Sequence, residues 1–221
     1  MPILPSAEKV LLASPEAVHE AARVLRGGGL VVFPTDTVYG LGADPDNPEA
    51  VDRIYRVKGR DRSKPLQLLL SDVSHLPLVA VEISDLAWRI ARQFLPGGIT
   101  LVLRKAPGVP ASVVAGGETV GVRVPAHPLC CALIQAFGGP VAATSANRSG
   151  QPSPRTAEEA VAHVGDLVDL VLDGGPCPLS QESTVLDLSV SPPRLLREGA
   201  INRATLEQVI GVTFDLAQLT I

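Results

Sequence analysis

Hydroxyl and carboxyl side chains come directly after a short apolar run near the start of this sequence. The run at 30–33 is stopped by Pro34, and Thr35, Asp36 and Thr37 follow at once. An apolar, β-branched run between turn signals predicts a buried strand, and ligands of α/β sheets bind at the ends of such strands. These side chains are therefore candidates to hold a polar ligand.

Basic residues occupy alternate positions farther along the chain, at Lys58, Arg60, Arg62 and Lys64. In an extended segment this spacing places all four on one face. Together they could neutralise a polyphosphate, with arginine the better bidentate partner. From charge alone, a solvated surface strand explains the pattern equally well.

Two later clusters combine hydroxyls with an amide or a carboxylate beside predicted strands. One contains Ser145 and Asn147, and the other runs from Glu182 to Thr184. Both could donate hydrogen bonds to a phosphate or a carboxylate. Hydroxyls and amides in such places also form caps and Asx-turns that bind nothing, but the occurrence of a second cluster favours a binding role.

Two arginines lie in otherwise apolar runs. Arg123 is found in VGVRVP and Arg197 in LLREG. A buried guanidinium without a partner is costly, so Arg123 forms either a structural ion pair or an anion site for a substrate carboxylate. The same choice applies to Arg197.

Several common catalytic signatures are missing from the sequence. Neither G-x-x-x-x-G-K-[ST] nor G-x-G-x-x-G after a strand is present, and no G-x-S-x-G elbow marks a serine nucleophile. The four histidines are scattered, so a metal cage built from protein ligands is not expected. His127, before Pro128, is interpreted as a helix cap. The residues alone predict a basic, hydroxyl-rich cleft that binds an anionic ligand.

Composition narrows the class of protein further. A hydrophobic content of 46% in 221 residues predicts a sizeable core, whereas a net charge of −4 and 3% aromatics argue against a nucleic-acid-binding surface. The cysteines Cys130, Cys131 and Cys177 form no C-x-x-C and are expected to be small buried side chains in a reducing compartment. No secretory signal or membrane span is recognised, so a cytoplasmic location without membrane contact is expected.

Alternating helices and strands predict a single α/β domain around a mixed sheet. Helices are predicted to start at Ser14, Asn47, Ser84, His127, Thr156 and Thr205. Strands are predicted at 30–33, 66–70, 100–103, 120–124, 141–143, 167–172, 184–188 and 194–197. Residues 35–42 are predicted to form a loop.

Seven motifs, in order, resemble those of the YrdC-type threonylcarbamoyl-AMP synthases. They are PTDTVYGLG (34–42), KGR (58–60), LPGGITLVL (95–103), TVGVRVPAHP (119–128), TSANRSGQPSP (144–154), ESTVLDL (182–188) and LLREGAI (195–201). The resemblance implies a twisted mixed parallel/antiparallel sheet with flanking helices and a large concave basic cavity. One domain at 1–221 is expected, with a core at about 17–201, a C-terminal tail at 202–221, and no extra C-terminal domain.

The resemblance also implies a reaction. L-threonine, bicarbonate (or CO2) and ATP give L-threonylcarbamoyladenylate and pyrophosphate, with Mg2+ accompanying ATP. Partner proteins then pass the threonylcarbamoyl group to adenosine 37 of tRNAs that read ANN codons. Catalysis would come from positioning and charge neutralisation, without a covalent or acid–base residue.

Individual site roles follow from the same resemblance. Thr35, Arg123 and Ser183 are expected to bind threonine. ATP is expected to be bound by Lys58, Arg60, Thr119, Ser145, Asn147, Ser153 and Arg197. The sequence departs from many members at Lys64, where asparagine is common, and at Leu69, where histidine is common.

Two alternatives stay open at this point. A carbamoyl-transfer relative uses the same fold, but such proteins carry acyl-phosphatase, zinc-finger and carbamoyltransferase-type domains that are not expected here. A non-catalytic RNA-binding module would bind tRNA in a salt-sensitive manner without turning over ATP.

Overall fold

Helix boundaries follow the capping residues. In the computed structural model, which describes residues 9–211 and 213–214, the side chains of Ser14, Asn47, Ser84 and Thr156 accept backbone N–H groups of the first turn. These contacts satisfy donors that a helix start leaves unpaired. The helices are α1 Pro15–Arg26, α2 Pro48–Lys58, α3 Leu76–Val79, α4 Asp85–Phe94, α5 Pro128–Phe137, α6 Ala157–Val164 and α7 Arg203–Ile210.

The described strands form one mixed sheet, which confirms the predicted fold class. They are β1 Val10–Leu12, β2 Val31–Phe33, β3 Gly40–Ala43, β4 Gln67–Leu69, β5 Ile99–Arg104, β6 Thr119–Arg123, β7 Val141–Ser145, β8 Leu170–Asp173, β9 Thr184–Asp187 and β10 Arg194–Arg197. Their order across the sheet is β1-β8-β2-β3-β7-β4-β6-β5-β9-β10, with parallel and antiparallel neighbours. Residues 1–8, 212 and 215–221 of the expected domain lie outside the described residues.

Several strands, namely β2, β4, β7 and β8, divide their buried side chains between two apolar clusters. In β2, Val31 and Phe33 pack with α1 and α5, whereas Val32 lies in the cluster that includes residues of α2, α4, α6 and α7. The alternating direction of side chains along a strand explains this division. This second cluster, which also includes Leu76 and Val79 of α3, is the larger one, so most of the core lies on that side of the sheet.

Part of the sheet face that carries α1 and α5 remains open. Leu68 and Val120 of the central strands are buried against the larger cluster, whereas Gln67, Thr119 and Gly121 on the opposite face are partly exposed. Gln67 and Gly121 are direct neighbours across β4 and β6. We call the set Gln67, Thr100, Thr119 and Gly121 the polar floor.

Part of the predicted loop at 35–42 is a strand. Gly40–Ala43 forms β3, which pairs with β2 and β7. The missing side chain at Gly42 makes room for the packing, since a Cβ there would lie 2.7 Å from the Phe33 ring and 2.9 Å from Val141. The sequence pattern also does not predict β1, α3 or the 3-10 turns Val73–His75 and Gly165–Leu167.

Gly42→Ala is expected to destabilise the protein by about 1–3 kcal/mol, because the added methyl has no room beside Phe33 and Val141. Gly108→Ala is the matched control. A Cβ at Gly108 meets no atom within 4 Å, so its effect should stay below about 0.5 kcal/mol. Urea unfolding followed by circular dichroism measures both, and equal stabilities would contradict the close packing described here.

Candidate functional site

Lys58 is a buried lysine at the C-terminal end of α2. Its Nζ donates to the backbone oxygens of Ser145 and Asn147, the latter at 2.6 Å, and to Oδ1 of Asn147 at 3.2 Å. Burial, aided by the charge of Arg60 and opposed by that of Glu182, lowers the pKa of Lys58 to about 7. The ends of α2 and β7 therefore meet at an amine that is held by three oxygen atoms.

The basic segment after α2 is a turn, and the prediction that its four bases share one extended face is wrong. Gly59 ends the helix in a left-handed conformation that glycine adopts without strain. Arg60 then folds back and donates from Nε to the Lys64 oxygen at 3.2 Å and from Nη2 to the Pro65 oxygen at 2.9 Å. Burial lowers the pKa of Arg60, and the nearby positive charge of Arg197 also lowers it.

Arg62 and Lys64 have different surroundings from the other two bases. Arg62 pairs with Asp52 and lies over the Tyr55 ring, 5.9 Å from its centroid, while the side chain of Lys64 is exposed. Leu69, the other departure from the family pattern, is buried in the cluster with α1 and α5. Lys58 and Arg60 are therefore the members of the basic segment that belong to the candidate site.

Asn147 organises the loop that follows β7. Its Oδ1 accepts a hydrogen bond from Ser145 Oγ at 2.5 Å, and its Nδ2 donates to the Gln151 oxygen at 2.6 Å. The residue is buried, and its contacts hold Lys58 in place. The geometry thus assigns Ser145 and Asn147 a positioning role, and their contact with ATP stays a prediction.

A chain of side-chain hydrogen bonds crosses the polar floor. Thr100 Oγ1 donates to Gln67 Oε1 at 2.8 Å, and it lies 2.9 Å from Ser183 Oγ. Since a hydroxyl has one proton to donate, Ser183 is the donor to Thr100. The sequence reasoning missed Gln67 and Thr100, although a polar residue in each of two otherwise apolar strands was an available signal.

Arg197 and Ser153 meet at the carboxylate of Glu182. Arg197 donates to the Ser183 backbone oxygen from Nε at 3.1 Å and from Nη2 at 2.8 Å, and its Nη1 pairs with Glu182 Oε2. Ser153 Oγ donates to the other carboxylate oxygen, Oε1. Glu182 therefore joins two residues that the family resemblance assigned to ATP, whereas the sequence predicted it only as a member of a hydroxyl-rich cluster.

A pocket of about 400 Å3 opens beside Ser153 and Glu182. It is lined by Val38, Pro152, Ser153, Arg155, Glu159, His163, Ser180, Gln181 and Glu182. Its wall carries both bases and acids, so this pocket by itself is not the basic cavity that the resemblance implied. The positive charge comes from Lys58, Arg60 and Arg197. The charge of Arg60 lowers the pKa of Lys58, and the charge of Arg197 lowers that of Arg60.

Thr119 occupies the end of the polar floor. It begins β6 opposite Arg104 and is partly exposed. Within the described part of the chain, no hydrogen bond joins its side chain to the other candidate residues. The expected contact with ATP stays a prediction.

Each of the three guanidinium nitrogens of Arg123 has a partner within the protein. Its Nη2 lies 2.5 Å from Oδ1 of Asp36, its Nη1 donates to Thr37 Oγ1 at 2.7 Å, and its Nε donates to the Gly97 oxygen at 3.0 Å. The ion pair is buried, with side-chain exposures of 3% for Arg123 and 4% for Asp36. This geometry supports the structural ion pair, and reception of a threonine carboxylate by Arg123 stays a prediction.

Thr35 is also occupied by local contacts. Its Oγ1 accepts the backbone N–H groups of Thr37 at 3.1 Å and Val38 at 3.2 Å, and it donates to the Val38 oxygen at 2.7 Å. These bonds stabilise the turn after β2. Binding of threonine by Thr35 therefore stays a prediction as well.

The cysteines and histidines offer no reactive centre. Burial raises the pKa of Cys130, of Cys131 and of Cys177, the last to about 11, which makes each a poor nucleophile near neutral pH. Among the described residues, no group of three or more histidine, cysteine, aspartate or glutamate side chains could hold a metal ion. His127 is the N-cap residue of α5, as predicted, but its ring makes no capping hydrogen bond, and its buried Nδ1 has no partner among the described residues.

A family model described as "Telomere recombination", for Sua5, YciO and YrdC proteins, matches residues 23–199. The chain belongs to this family. The match covers the sheet from β2 to β10 and every candidate site residue, which confirms the resemblance noted from the motifs. No helix of the described residues is long and apolar enough to cross a membrane.

Curated relatives carry a more specific name. The chain is 43% identical to a threonylcarbamoyl-AMP synthase of Pyrococcus abyssi over 88% of its own length and 57% of the relative, and 43% identical to one of Bacillus subtilis over 88% and 56%. A crystal structure of P. abyssi Sua5 complexed with L-threonine matches with a TM-score of 0.89 at 39% identity, over 93% of this chain and 61% of that one. The chain thus spans somewhat more than half the length of these relatives.

Arg123→Leu is expected to lower the free energy of unfolding by about 3–5 kcal/mol, because it leaves the Asp36 carboxylate buried without its partner. Arg104→Leu is the control, since the exposed Arg104–Glu82 pair should contribute at most about 1 kcal/mol. Denaturant unfolding at neutral pH measures both. A loss for Arg123→Leu that is no larger than that of the control would contradict a structural ion pair.

Proposed function

We propose that this protein synthesises L-threonylcarbamoyladenylate from L-threonine, bicarbonate or CO2, and ATP, with release of pyrophosphate. The observation that carries the proposal is the group of Lys58, Arg60 and Arg197 beside the open polar floor. Such a group suits a polyphosphate and developing negative charge. Relatives at 43% identity bear the name of this synthase, and one Sua5 structure carries L-threonine.

The chemistry of this reaction needs no protein nucleophile. The amine of threonine adds to CO2 and loses a proton, and a carbamate oxygen then attacks the α-phosphorus of ATP as pyrophosphate leaves. The protein would hold the reactants in line and neutralise the phosphates, which are the main contributions in phosphoryl and nucleotidyl transfer. Cysteines with raised pKa values are consistent with such a mechanism.

Cofactor and partners belong to the proposal as well. The described residues offer no cluster of metal ligands, so we propose that Mg2+ arrives on the phosphates of ATP as part of the substrate. The product would be consumed by threonylcarbamoyl-transfer proteins that act on adenosine 37 of ANN-decoding tRNA. The three free cysteines support action in a reducing compartment such as the cytoplasm.

Turnover of ATP provides the decisive test. Release of AMP and pyrophosphate should require both L-threonine and bicarbonate, and mass spectrometry should detect the labile adenylate before its hydrolysis. Nucleotide turnover that ignores threonine but responds to carbamoyl phosphate would favour the carbamoyl-transfer alternative. Salt-sensitive binding of tRNA without any ATP turnover would favour the RNA-binding alternative.

The charge of Lys58 should make pyrophosphate binding sensitive to pH. The ammonium form attracts the anion, and it is lost as the pH rises through the pKa of about 7. Wild-type affinity should therefore fall roughly tenfold or more between pH 6.5 and 8.5, unlike that of Lys58→Met. Titration calorimetry of both proteins separates this effect from the ionisation of pyrophosphate, which both share. Parallel pH profiles would refute the role of Lys58.

A further inference from the structure

Glu182 lies between two side chains that the family resemblance assigns to ATP. Its Oε1 accepts from Ser153 Oγ and its Oε2 pairs with Arg197 Nη1. Both donors were expected to contact ATP. The hydrogen bonds of both donors are therefore directed at a carboxylate of the chain itself.

Arg197 does not depend on Glu182 for its orientation. Its Nε and Nη2 are held by the backbone oxygen of Ser183 at 3.1 and 2.8 Å, and Nη2 also lies 3.3 Å from Ser183 Oγ. If the carboxylate moves away, these contacts remain. The movement would thus free Nη1 and the Ser153 hydroxyl as donors without disordering the guanidinium.

The negative charge of Glu182 also acts on Lys58 and Arg60. It raises the pKa of Lys58 and of Arg60, opposing the effect of burial on both. A polyphosphate bound between these bases would be repelled by the same carboxylate. Glu182 therefore stabilises the bases when no anion is present and competes with an anion for them.

There is room for the carboxylate to leave. Glu182 lines the pocket of about 400 Å3, and 38% of its side chain is exposed. A rotation about its side-chain bonds could carry the carboxylate away from Arg197 into this space. The movement requires no rearrangement of the sheet.

We propose that Glu182 is an internal anion that occupies the polyphosphate position of the ligand-free site and is displaced when a polyphosphate binds. The inference rests on the proposed function, because that function places a polyphosphate among Lys58, Arg60 and Arg197. Glu182 is on this view a positioning residue, which sets the affinity for ATP and for the leaving pyrophosphate. Its removal should tighten binding of the anion even though the contacts of the carboxylate with Ser153 and Arg197 are lost.

Glu182→Gln tests the proposal by removing the charge while keeping the size of the side chain. Titration calorimetry with pyrophosphate in the presence of EDTA should give an affinity about five- to tenfold tighter than wild type. Glu159→Gln is the matched control, because Glu159 lines the same pocket but accepts a hydrogen bond from the Arg155 backbone. Its affinity should equal that of wild type.

Unchanged or weaker pyrophosphate binding by Glu182→Gln would overturn the proposal. A variant that binds ATP more weakly than wild type in the presence of Mg2+, but not in its absence, would also overturn it, because Glu182 would then be a metal ligand. Should the variant fail to fold, a crystal structure of the wild type with pyrophosphate decides. Displacement of Glu182 by a phosphate oxygen at Arg197 Nη1 supports the proposal, and an intact Glu182–Arg197 pair in that complex refutes it.

The same samples separate this proposal from the function on which it rests. Tighter pyrophosphate binding by Glu182→Gln without threonine-dependent ATP turnover in any protein would retain the internal anion and reject the synthase. Threonine-dependent turnover with equal pyrophosphate affinities would retain the synthase and reject the internal anion. Absence of pyrophosphate binding to every protein would reject the internal anion, and absence of threonine-dependent turnover as well would reject both.

Discussion

The buried ion pair between Asp36 and Arg123 is the contact on which the candidate site depends. Asp36 follows β2 in one half of the sheet, and Arg123 ends β6 in the other half, with β3, β7 and β4 between them. Taking both charges out of water is expensive, and their attraction repays that cost only with good geometry and further hydrogen bonds. Bonds from Arg123 to Thr37 and Gly97 supply these contacts, so the pair fixes the loop after β2 against the central strands.

The basic side chains of the site have partners within the protein itself. Lys58 donates to three oxygens of Ser145 and Asn147, while Arg197 is held by Ser183 and Glu182. Bases brought together without such partners would repel one another and lose hydration. An anionic ligand that binds to Arg197 therefore has to exchange with an existing contact of the protein.

The open position of the site follows from incomplete covering of one sheet face. Helices α1 and α5 cover β2, β7 and part of β4, and the larger cluster fills the other face. Gln67, Thr119 and Gly121 lie where the covering ends, and their polar or absent side chains tolerate water. A single sheet thereby supplies both a rigid core and an accessible surface for chemistry.

Local features of the chain were readable from the sequence alone. Helix caps, and apolar runs such as 30–33, depend on neighbours within a few residues. The mixed α/β class, most strands and five helix starts were therefore predicted correctly, the starts being those at Ser14, Asn47, Ser84, His127 and Thr156. The predicted start at Thr205 was too late, because Asn202 caps α7 and the helix begins at Arg203. The motifs also identified the family. Contacts between distant residues could not be predicted from the sequence. The free energy of burying a charged or polar side chain depends on its partners, and only folding brings these together. Tertiary structure alone decided that Arg123 pairs with Asp36, that Gly40–Ala43 is a strand between β2 and β7, and that Glu182 joins Ser153 to Arg197.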